Sequence, residues 1–182
     1  MGDYVSTMNI KTRLQTYTAK AIENGACVFS LADIATLLAM ADKQAVAKVM
    51  HRACKDGLFI TVAKGLYVSG LHLVDPISIM YAIANKLRAG CSNYVSLESQ
   101  LSFVGEISQI PIDRITIITT GRKAVFKTPY GVIEFTHTKR TPSQIALGVY
   151  FDGNINMFRA TTGQAIMDLK RVGRNVQMLE SC

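Results

Sequence analysis

No apolar run in this 182-residue chain approaches the roughly 18 residues that a membrane-spanning helix needs. The segment Met1–Thr18 is polar and lacks an apolar h-region, so no secretory signal is expected. Only four cysteines occur, Cys27, Cys54, Cys91 and Cys182. They are scattered, with no CxxC pair and no Cys/His ligand spacing, so the sequence offers neither a disulfide framework nor a zinc site. Reduced thiols in a cytoplasmic protein are the expectation, with Cys27 and Cys54 in the core. There is no HExxH, no GxxxxGK[ST] and no GxSxG. The three histidines, His51, His72 and His137, lie far apart, and none has a Cys or Asp at ligand spacing. No internal repeat, low-complexity tract or coiled-coil heptad is visible. The chain is therefore read as neither an enzyme nor a metalloprotein, and no cofactor is expected.

Acids are also few. The chain carries 20 Lys and Arg against 13 Asp and Glu, a net charge of +7. The surplus is spread over both halves and favours a polyanionic partner, without separating DNA from RNA. An apolar content of 49% is ample for a packed core. The length allows one or two domains.

The scarcity of acids is sharpest between Asp42 and Asp56, where none occurs. Just before it, Ser30 and Asp33 have the spacing of a capping box, and Leu31, Ile34, Ala35 and Leu38 recur at helical intervals. Ala39–Ala41 reads as a turn. Asp42 is a good N-cap for a second helix, and Gly57 a good stop. Val46, Val49, Met50 and Ala53 share one face of that helix. The opposite face carries Gln44, Ala47, Lys48, His51 and Lys55, with Arg52 on its flank and Lys43 at its start. Next, Leu58–Val62, the turn Ala63-Lys64-Gly65 and Leu66–Val68 read as a β-hairpin with Lys64 at its tip. A first helix from about Met8 to Asn24, with Ile10, Leu14, Tyr17 and Ala21 apolar, would complete a three-helix core.

This order is that of a winged helix-turn-helix, expected over residues 1–70. Such a unit lays one helix in the major groove of duplex DNA, with cations on phosphates and amide or guanidinium groups on base edges. The DNA-facing set would be Lys43, Gln44, Lys48, His51, Arg52, Lys55 and Lys64. A merely solvated basic face is the alternative. Winged helices often bind paired half-sites, so a homodimer on inverted repeats in an operator is a further expectation.

Residues 75–182 read as an α+β unit with an antiparallel sheet, after a short linker at Ser69–His72. Asp75-Pro76 opens a helix that Gly90 stops. Tyr94-Val95 is extended, and Ser96 caps a helix that ends near Gly105. Five strands follow at Ile115–Thr119, Ala124–Lys127, Val132–His137, Leu147–Phe151 and Ile155–Phe158, then a helix capped by Thr161 or Thr162. Arg122, Lys123 and Lys127, with Lys139 and Arg140 after His137, are either polar turns or a second basic surface. Asp168, on an otherwise apolar helix face, is expected to satisfy a local backbone group or an Arg.

The run Tyr94-Val-Ser-Leu97, with Leu101, Gly105 and Gln109-Ile-Pro111, resembles the AbiEi-type family of antitoxins. Similar too are Ile115-Thr-Ile-Ile-Thr119, Gly131-Val-Ile-Glu-Phe135, Ala160-Thr-Thr162 and Ala165-Ile-Met-Asp168. Gly57-Leu58 and Gly65-Leu-Tyr67 look like the end of that family's N-terminal domain. The likeness runs from about residue 10 to 172 and rests on the order of short motifs. It implies a transcriptional autorepressor with a winged helix. It also implies a type IV antitoxin that counteracts a nucleotidyltransferase-like toxin without a stable complex, carried on mobile elements and in phage defence. Family members usually continue through a longer C-terminal region, which leaves a stand-alone regulator without a toxin as the alternative. A nucleic-acid-processing enzyme is the third reading, for which no convergent acid, base or metal set is visible.

Overall fold

A computed structural model describes residues 9–70, 75–108, 113–173 and 175–179. The chain divides into two compact units, Met1–Asp75 and Pro76–Cys182. It is an α+β protein, with seven α-helices and two sheets among the described residues. Met8, His72, Gln109–Pro111 and Cys182, named above, lie outside the described residues.

In the first unit, α1 (Ile10–Glu23) starts where the Asn9 side chain accepts from the Thr12 N–H at 2.9 Å. A short strand, β1 (Val28–Ser30), leads directly into α2 (Leu31–Leu38). The Ser30–Asp33 box forms in both directions: Asp33 N–H donates to Ser30 Oγ at 3.1 Å, and Ser30 N–H to Asp33 Oδ2 at 2.7 Å. Ala39 closes α2 in the left-handed region, at φ 52°. Asp42 then caps α3 (Lys43–Lys55) by accepting from Gln44 N–H at 2.8 Å. Gly57, at φ +73°, turns the chain out of α3 into the hairpin of β2 (Phe59–Ala63) and β3 (Leu66–Ser69).

The sheet order β1-β3-β2 is antiparallel throughout, so β1 adds a third strand that the sequence reading lacked. Three residues are too few to show alternation. Leu14, Phe29, Ile34, Leu38, Val46, Met50 and Phe59 form the core, with the Phe29 and Phe59 rings edge-to-face at 6.2 Å. Cys27 and Cys54 are only half-buried, not core residues as expected.

The second unit opens with α4 (Pro76–Leu87), β4 (Asn93–Val95) and α5 (Leu97–Phe103). Strands β5 (Arg114–Thr119), β6 (Ala124–Thr128) and β7 (Gly131–His137) follow, then α6 (Pro142–Ala146), β8 (Val149–Asp152), β9 (Met157–Ala160) and α7 (Thr162–Val172). The sheet runs β6-β7-β5-β4-β9-β8. It is mixed rather than antiparallel, because β5 pairs parallel with β7, and β4 with β9. Strand β7 folds back from β6 and inserts beside β5, which puts β5 and β7 in the same direction. Residues Ile115–Thr119 are buried without alternation, as in a strand covered on both faces. The expected strand start at Leu147 is also corrected. Thr141 and Gln144 form a capping box for α6, and β8 begins only at Val149.

Ser96 does not cap α5 with its side chain. Its hydroxyl instead donates to Asp168 Oδ2 at 2.8 Å, beside Leu97, which adopts φ +58°.

Candidate nucleic-acid interface

Helix α3 buries Val46, Met50 and Ala53 in the first unit's core. The 3.6-residue period then leaves Lys43, Gln44, Lys48, His51, Arg52 and Lys55 outside, and all six side chains are exposed. No acid interrupts that face. At its C-terminal end, Asp56 accepts from Lys11 Nζ at 2.7 Å, and this bond holds the Asp56 carboxyl below its usual range. The acid at the end of α3 is thus matched by a cation from α1. Lys64 is exposed in the turn between β2 and β3.

A groove of about 480 Å³ runs between α3 and the hairpin. Ala47, Lys48, His51, Arg52 and Cys54 line it from the helix, and Thr61 and Tyr67 from the strands. Thr61 and Tyr67 are direct cross-strand partners, so their side chains stand on the same side of the hairpin. The Cys54 Sγ and Thr61 Oγ1 atoms are 3.5 Å apart. Burial, and secondarily Cys54, push the Tyr67 hydroxyl above its ordinary pKa, so it remains a donor across the neutral range. Cys54, Thr61 and Tyr67 were missed as site residues in the sequence. Their signal was the alternation of the hairpin, which sets Thr61 opposite Tyr67 once the register is known.

The second basic set is divided. Arg122, Lys123, Lys127 and Lys139 are exposed on and around β6 and after β7. Arg140 is not part of that surface. Its Nη1 donates to Asp168 Oδ1 and, at 3.1 Å, to the Tyr94 hydroxyl. Asp168 is fully buried and also accepts from Tyr94 Oη at 3.0 Å and Gln164 Nε2 at 2.9 Å. Burial first, then the Asp168 charge, push the Tyr94 hydroxyl well above its ordinary pKa. Every donor around the carboxylate is engaged, which makes this a structural polar knot. His137 Nδ1 lies 2.8 Å from the Gly121 carbonyl. Among the described residues, no three His, Cys, Asp or Glu side chains gather as a metal site would require. Nor is any described helix long and apolar enough to cross a membrane.

No family model matches the chain, and no curated protein matches it. A solved structure with a similar fold is that of the Rv2827c protein from Mycobacterium tuberculosis, at 16% identity and a TM-score of 0.50. The match covers 77% of this chain and 50% of that one, so the chain spans about half the length of its structural neighbour. At this identity the likeness concerns the fold alone.

Proposed function

We propose that the first unit is a winged helix-turn-helix, with α2 and α3 as the two helices and the β2–β3 hairpin as the wing, and that it binds duplex DNA. One observation carries this reading: the outer face of α3 is cationic, exposed and free of acids over its whole length. Folding has not consumed those side chains, so they are available to phosphates and base edges. The groove beside them, lined by cations and hydroxyls, adds support. On this reading the protein is a DNA-binding transcriptional regulator that represses its own operon. Fluorescence anisotropy on DNA from upstream of its gene tests it. Binding that weakens steeply with salt is expected; no binding to any duplex at low salt would overturn the reading.

The resemblance to AbiEi-type antitoxins supports a second role, in which the α+β unit counteracts a nucleotidyltransferase-like toxin. Co-expression with the neighbouring gene tests this part separately. Protection from a demonstrably toxic neighbour is the expected result. Failure to protect would leave a stand-alone regulator of a mobile element.

A further inference from the structure

We propose that the groove between α3 and the hairpin seats one backbone phosphodiester, held by the Thr61 and Tyr67 hydroxyls on one wall and by Lys48 and Arg52 on the other. This rests on the DNA-binding reading and deepens it. The lining has a definite chemistry: two cations and an imidazole from the helix, two hydroxyls from the strands, and no carboxylate. Among the described residues the Tyr67 hydroxyl makes no hydrogen bond to protein, though Tyr67 is half-buried. Among the described residues Thr61 Oγ1 has only the weak Cys54 thiol as hydrogen-bond partner, so its own proton can point into the groove. A tetrahedral monoanion with two non-bridging oxygens satisfies hydroxyls and cations together. A base edge carries no formal charge to neutralise the two cations, and a carboxylate would present a planar pair of oxygens without the diester's links along the strand.

Hydroxyl contacts to phosphate carry no sequence information and release no counterions, whereas a lysine contact does. The test is anisotropy with the full chain, on its upstream duplex and on a scrambled duplex, across a KCl series. Tyr67→Phe and Thr61→Val should each weaken both duplexes by the same factor, about two- to tenfold, with the salt slope unchanged. Lys48→Ala should weaken both and lower the slope by about one. In a methylphosphonate scan, one position should cost Tyr67→Phe less affinity than it costs wild type, while the other sensitive positions cost both proteins alike. Thermal melts of both hydroxyl variants should match wild type, because neither side chain's hydroxyl holds the fold together.

If Tyr67→Phe and Thr61→Val bind as wild type while Lys48→Ala is weakened, the seat is wrong and the DNA reading survives. A loss confined to one duplex would mean a base contact and also overturn the seat. If inorganic phosphate or a nucleoside monophosphate raises the melting point of wild type but not of Tyr67→Phe, and displaces the duplex, the groove serves a free phosphate group instead. Wild type that binds neither duplex at low salt removes the DNA reading itself.

Discussion

Gln44 and Lys48 stand on the same exposed face of α3 but would report on different parts of a duplex. Lys48 offers a point charge, so Lys48→Ala should weaken every duplex alike. Gln44 carries an amide able to bond a base edge through two hydrogen bonds. Replacing it with Ala should relax base preference at one position, by roughly 1–3 kcal/mol, measured on single-substitution operator variants. Two residue-scale predictions concern stability. Arg140→Ala would leave the fully buried Asp168 carboxylate without its cation, and urea unfolding should show a loss of about 3–5 kcal/mol. Asp152 accepts from Arg159 Nε at 2.6 Å, and this bond holds its carboxyl below the ordinary range. The unfolded chain then binds that proton more readily than the native one. The contribution is complete above the ordinary Asp value, about 3.9, and is lost as pH falls through the lowered native value. Asp152→Asn should therefore flatten the acid limb of the stability curve; an unchanged limb would contradict the pairing.

At the scale of elements, local signals were legible and pairing was not. The start of α2 could be read because a capping box is written within four residues, and its two bonds form as expected. Ser30→Ala should cost about 1 kcal/mol in unfolding free energy. The same kind of box at Thr141 and Gln144 was overlooked. The apolar run after it read as strand, whereas Leu147 ends α6 and is exposed. The direction of β5 beside β7 could not be read from either strand alone, since alternation describes one strand and says nothing of its partner. Arg140 was misplaced for a related reason. Its neighbours Lys139 and Thr141 are exposed, and only the fold brings Asp168 within reach. Gly131 marks another long-range constraint. It adopts φ +140°, and an added Cβ would meet the Asp113 carbonyl oxygen at 2.3 Å. Gly131→Ala should destabilise the protein by more than about 1 kcal/mol in the same assay.

Across the whole molecule, the net charge of +7 would draw any polyanion toward it. Two exposed cationic regions compete to explain such binding: the outer face of α3, and the group of Arg122, Lys123 and Lys127 on and beside β6. The sequence put the DNA-facing set on the α3 face and left the second group as either polar turns or a second basic surface. The structure distinguishes them by setting: the first borders a groove with hydroxyls on its far wall, whereas β6 lies at an edge of the six-stranded sheet, where lysines discourage pairing with another strand. The most direct measurement is a salt-series anisotropy titration on upstream DNA, comparing wild type with Lys48→Glu/Arg52→Glu and with Arg122→Glu/Lys123→Glu. Binding should be abolished by the first pair and only modestly weakened by the second. Undiminished binding by the Lys48→Glu/Arg52→Glu protein would contradict a DNA-reading role for α3.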